Sequence, residues 1–99
     1  MVRHVILWSI KEECLDRKDE IKATIKEKIE GLKEQIPEII DIKVYTNPLT
    51  SSNADLMLDS SFENEEALKS YIINPNHVFA ADNYVRPFVT GKKSIDFEM

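Results

Sequence analysis

Between Val2 and Ile10 the chain alternates with a period of two. Val2, His4, Ile6, Trp8 and Ile10 share one side; Arg3, Val5, Leu7 and Ser9 share the other. Both sides are apolar at their centre, which predicts a strand covered on two faces. The period then lengthens. Ile21, Ile25, Ile29, Leu32 and Ile36 recur at helical spacing and form one apolar stripe. Asp16 is the expected cap of this helix, and Asp19 and Glu20 fill its first turn, where the helix dipole favours negative charge. The helix should run to about Ile36, because the residue before Pro37 avoids the helical region. Alternation resumes from Ile39 to Thr46, with Ile40, Ile42 and Val44 on one side and Asp41, Lys43 and Tyr45 on the other.

Asn47 to Asn53, with Pro48 and paired serines, reads as a loop. A third strand is predicted over Asp55–Glu63, with Leu56, Leu58 and Phe62 on one face. Asn64 is a good cap for a short helix carrying Ala67, Leu68 and Tyr71. Asn74-Pro75 then starts another helix, since proline suits the first helical position and asparagine the cap before it. That helix is expected from Pro75 to about Arg86. Gly91 is expected to open a turn into a last strand over Lys93–Phe97.

The order strand, helix, strand, strand, helix pair, strand indicates an α+β fold. It suits a ferredoxin-like βαββαβ protomer with a four-stranded antiparallel sheet, both crossovers on one face, and the first and third strands central. No repeat or linker interrupts it, so residues 1–99 are read as one domain. Helices on one face leave the other bare, yet Val5 and Leu7 oppose Ile6 and Trp8 across the first strand. Each large apolar group left in water forfeits about 1.5–3 kcal/mol. A second copy packed sheet to sheet would cover them, giving a homodimer; the long loop folding over the face is the alternative. Trp8 is expected in the core or the dimer interface.

Composition narrows the function classes. The net charge of −5 opposes binding to a phosphate backbone, and the lysines from Lys18 to Lys33 alternate with acids as a solvated face would. No nucleic-acid partner is expected. Nothing approaches the ~20 apolar residues of a membrane span, and Val2–Ile10, broken by Arg3, His4 and Ser9, does not read as a secretory leader. A cytoplasmic setting is the expectation. One cysteine, Cys14, excludes an internal disulfide. Two histidines without ligand spacing predict no dedicated metal site, and only Gly31 and Gly91 are present to build a phosphate loop, so no cofactor is expected.

Several short motifs, taken together, resemble the stress-responsive dimeric A/B barrel (Dabb) family. They are His4-Val5-Ile6-Leu7, Ile36-Pro37, Ala54-Asp55-Leu56, Phe62-Glu63, Tyr71-Ile72-Ile73-Asn74-Pro75-Asn76-His77, Arg86-Pro87 and Asp96-Phe97. Their order spans nearly the whole chain. The resemblance implies a ferredoxin-like protomer whose dimer closes as an α+β barrel. The family includes plant stress-associated proteins and a plant polyketide cyclase, olivetolic acid cyclase, in which a Tyr and a His at the spacing of Tyr71 and His77 form the catalytic pair. Asn74 stands where many relatives have His, which argues against a two-histidine metal site there.

The residues permit that chemistry. His77 would be the third residue of its helix, where the positive helix end favours a neutral ring able to act as a general base. Tyr71 could donate to an oxyanion developing on a substrate carbonyl, and His4 is placed as a substrate-binding residue facing the same cavity. Against this stand ordinary structural roles: His77 fixing the helix junction, Tyr71 in the core, His4 holding a strand start. Three readings follow. One is a homodimeric stress-response-type barrel taking a small apolar or amphipathic ligand; the second is a cyclase- or lyase-like enzyme with His77 as base and Tyr71 as oxyanion donor; the third is a structural or protective protein whose dimer surface is its working part.

Overall fold

A computed structural model describes residues 1–99. Four strands form one antiparallel sheet: β1 (Val2–Ile10), β2 (Ile39–Tyr45), β3 (Leu56–Phe62) and β4 (Val89–Glu98). Their order across the sheet is β2-β3-β1-β4. β1, apolar on both faces, is central, with β3 beside it. Helix α1 (Lys18–Glu30) crosses from β1 to β2, and α2 (Glu65–Ile73) and α3 (Pro75–Ala80) cross from β3 to β4. The protomer is ferredoxin-like, as the element order predicts.

The inward face of β1 comprises Val2, His4, Ile6, Trp8 and Ile10, all buried. Opposite them in register lie Phe62, Ser60, Leu58 and Leu56 of β3. Ile21, Ile25, Ile29, Leu32 and Ile36 close over this face, also buried, so the whole predicted stripe packs inward. Trp8 is thus a core residue and takes no part in the open face.

Local details depart from the sequence pattern for identifiable reasons. Asp16 does not cap α1; it lies in a 3-10 turn, Glu12–Arg17, that precedes the helix, and Arg17 holds the cap position without a side-chain bond. The α-helical hydrogen bonding ends at Glu30 and tightens into a 3-10 turn over Gly31–Glu34, leaving Ile36 buried beyond the helix. In β2 a register shift between Ile39 and Asp41 gives the inward place to Ile39 and turns Ile40 out, 41% exposed. A bulge of this kind reverses the face of every residue before it.

Asn64 caps α2 as expected, its Oδ1 accepting the Ala67 N–H at 2.9 Å. Asn74 does the same for α3 through the Asn76 N–H at 2.9 Å, with Pro75 in the first turn. The second crossover is less regular than its sequence suggests. After Ala80 it widens into a π turn over Ala81–Val85, then tightens into a 3-10 turn over Arg86–Phe88. Gly91 opens no turn: β4 already begins at Val89, and Gly91, at φ +64°, lies within it. There Gly91 and Lys92 together oppose Trp8, between the pairs Ser9–Thr90 and Leu7–Lys93. Two residues against one, with glycine in the left-handed region, make a β-bulge.

Candidate functional site

The sequence-predicted residues converge where β1 meets the α2–α3 corner. The rings of His4, Phe62, Tyr71 and His77 form a cluster. Tyr71 and His77 are closest, with centroids 4.4 Å apart, followed by Phe62 and Tyr71 at 5.0 Å and His4 and Tyr71 at 6.2 Å. Tyr71 and His77 are not on one helix face. The Asn74-Pro75 break between α2 and α3 brings them together, because the cap leaves Asn74 extended, at ψ 130°, before the chain turns helical again.

A cavity of about 320 Å³ borders the cluster, within the ~300–1,000 Å³ typical of small-molecule sites. His4, Ile6 and Trp8 of β1 line one wall; Ile72, His77, Ala81 and Val85 line the helical wall; Val89 to Lys92 of β4 and Arg86 complete it. The π turn matters here, since its two buried residues, Ala81 and Val85, both reach the cavity. Tyr71 is not among the lining residues. Its ring lies behind His77, 1% exposed, and its hydroxyl is the one buried side-chain polar atom without a hydrogen-bond partner. Such a group costs about 1–3 kcal/mol. Burial also drives the Tyr71 phenol well above its ordinary pKa, so it is a donor and never a phenolate at neutral pH.

Hydrogen bonds assign the histidine roles. His77 Nδ1 lies 2.9 Å from the Ile72 carbonyl oxygen. A carbonyl only accepts, so Nδ1 carries the proton and Nε2 presents a lone pair. Burial lowers the His77 pKa, and Arg86, His4 and Lys92 push it the same way; the Ile72 contact opposes them and is outweighed. The lowered pKa favours the neutral ring at pH 7, with desolvation its leading cause. His4 Nδ1 approaches Asp96 Oδ1 at 2.5 Å, so that nitrogen donates in turn. Neither Nε2 has a partner in the protein, and neither is sealed, since only the Tyr71 hydroxyl is both buried and unpaired.

Asp96, Arg86 and Lys92 were not singled out as site residues from sequence. Arg86 and Asp96 stand in motifs noted above, but Asp96 reaches His4 only through the β1–β4 register, which pairs the two. A second depression, about 440 Å³, lies beneath the 46–55 loop. Its titratable groups are Tyr45 and Asp55, and Asp55 is engaged: Oδ2 accepts the Ile10 N–H at 2.8 Å and Oδ1 meets Lys18 at 3.0 Å. Both histidines line the cavity beside β1. No group of acidic, histidine or cysteine side chains is arranged to hold a metal ion, and no helix is long and apolar enough to cross a membrane.

The fold recurs in solved structures. A protein from Bacteroides fragilis, described as dimeric, ferredoxin-like and of unknown function, is 27% identical, with a TM-score of 0.89 over 99% of this chain and 95% of its own. At3g17210 from Arabidopsis thaliana is 21% identical with a TM-score of 0.76, covering 100% and 95%. A Dabb family protein from Mesorhizobium loti is 16% identical with a TM-score of 0.76, covering 99% and 95%. No curated protein matches the sequence. The model of the stress responsive A/B barrel domain matches residues 2–99, and the chain belongs to that family.

Proposed function

We propose that this protein acts as a homodimeric A/B barrel that takes a small, largely apolar molecule into the cavity beside His77. The observation that carries this reading is the pair of imidazoles. His4 and His77 line one apolar cavity, each has Nδ1 engaged elsewhere, and each leaves Nε2 free. Two fixed, outward-facing ring nitrogens at an apolar wall suit a ligand with one or two polar atoms on a hydrophobic body.

Dimerisation is supported by the outer sheet face. Leu7, Tyr45, Ile95 and Phe97 are each at least 36% exposed, and the register sets Leu7 beside Met57 and Val5 beside Ile95. Arg3 and Asp59 form a two-pronged ion pair among them, at 2.7 and 2.6 Å. An apolar face around an ion pair, with Lys93, Asp41 and Lys43 beside it, is what a two-fold partner would cover. The B. fragilis relative is described as dimeric, and closure of two sheets into a barrel follows from such a pairing.

The second reading, proton abstraction beside a carbonyl, is favoured by the unpaired Tyr71 hydroxyl. A substrate oxygen reaching that hydroxyl would give it the acceptor it lacks. His77 Nε2 would take the proton and Tyr71 would donate to the resulting enolate oxygen. With a poly-β-keto substrate, His77→Ala and Tyr71→Phe should each lower turnover at least 100-fold while the dimer survives on sizing columns. Unchanged turnover in both variants removes the assigned roles.

A further inference from the structure

The cavity beside His77 carries a charge pattern at odds with the rest of the chain. The protein's net charge is −5, yet both ionic side chains lining this cavity, Arg86 and Lys92, are cationic. Two carboxylates stand nearby, and neither lines it. Asp82 is bound by Arg86 on the exposed side of the second crossover, and Asp96 stands behind the His4 ring. Lys92 has no carboxylate within ion-pair distance.

Backbone geometry places Lys92 there. Gly91, in the left-handed region, makes the bulge that inserts an extra residue opposite Trp8, and Lys92 is the second residue of that bulge. Bulges re-aim side chains beside functional sites. Leu7 pairs with Lys93, so Lys92 falls beside Trp8 on the inward side, as Ser94 and Asp96 fall beside Ile6 and His4, and the bulge re-aims Val89 and Thr90 before it. Arg86, just past the π turn, approaches from the helical side. The positive fields of both reach His77, whose proton affinity they lower.

We infer that the ligand is an acid: a small molecule with an apolar body and one carboxylate, the body lying against Ile6, Trp8 and Val85 and the carboxylate held at the solvent side by Lys92 and Arg86. This deepens the small-molecule reading above and rests on it. Arg86 is largely balanced by Asp82, so Lys92 supplies about one uncompensated positive charge, which matches a monoanion. A dianion would also meet the repulsive field of the acidic chain. Apolar walls raise the worth of the charge contact by excluding water.

The test uses octanoate and its neutral counterpart octanol, titrated into the 15N-labelled protein at low ionic strength and near pH 7.5. Octanoate should shift the amides of Ile6, His77, Val85 and Lys92 and bind at least fivefold more tightly than octanol. Lys92→Gln should erase that preference while leaving octanol binding unchanged. Octanoate should also raise the His77 ring pKa, as an anion placed near it must, and octanol should not. Equal binding of the two probes overturns the acid preference and leaves the small-molecule reading standing. A preference that survives Lys92→Gln overturns the assigned headgroup position. If neither probe shifts the cavity amides, the acid inference and the small-molecule reading fall together.

Discussion

The two faces of the sheet are built from alternate residues of the same strands, yet they are different surfaces. The inner face joins Ile6, Trp8, Leu56, Leu58 and Phe62 to the helices, all below 8% exposed. The outer face carries comparable apolar side chains, Val5, Leu7, Met57, Ile95 and Phe97, with the 46–55 loop beside Leu7 and Met57 and the helices on the opposite side. Polar groups differ as well. On the outer face Arg3 and Asp59 pair through two hydrogen bonds. On the inner side, under the helices, one hydroxyl is unpaired and two imidazole nitrogens are open. An apolar face suits association; an incompletely satisfied one, beside a cavity, suits a ligand. On the proposed reading, assembly and ligand binding fall on opposite sides of one sheet.

The contrast can be broken most forcefully at neighbouring residues of β1. Trp8→Ala removes a core indole and should cost about 3–5 kcal/mol of stability by urea denaturation, as large-to-small core changes do. A loss below about 1 kcal/mol would show that the inner face is not the packed one. Leu7→Glu, one residue away, should leave the fold intact by circular dichroism and weaken the dimer by about 2 kcal/mol or more, read by sedimentation velocity at micromolar concentration. A dimer unaffected by Leu7→Glu would move the interface off the outer face.

The smallest effect concerns pH. The folded-state pKa of His77 lies below its unfolded value, so the unfolded chain binds the extra proton first. His77 thus adds no penalty above about pH 6.5, and stability falls as pH drops below that value towards the folded pKa. His77→Gln should flatten the stability curve below about pH 6.5. An unaltered slope would mean that the ring is solvated and does not belong to the desolvated inner side.

Much of the fold was legible in the chain. The period-two run of β1, the stripe from Ile21 to Ile36 and the caps at Asn64 and Asn74 are local patterns, and each corresponds to an element or a buried face. What misled were positions where local preference competed with packing. Asp16 is a sound cap by chemistry, but the connection from β1 tightens into a 3-10 turn through it. Ile40 fits alternation, but the β2 bulge gives its place to Ile39. Gly91 reads as a turn because glycine permits a positive φ, and the structure uses that freedom inside a strand.

The candidate site divides the same way. His4, Tyr71 and His77 are conspicuous in sequence as polar groups in apolar runs, and the Asn74-Pro75 break announces a corner between the last two. Residue types, spacing and the helix breaks are local quantities, fixed by side-chain chemistry and backbone preference, and the sequence alone determined them. The partnership of His4 with Asp96, the cations gathered at one cavity and the sealing of the Tyr71 hydroxyl are different. They depend on strand register, a bulge and a π turn, which are settled only when distant segments compete to fill one core, so only the tertiary structure decided them.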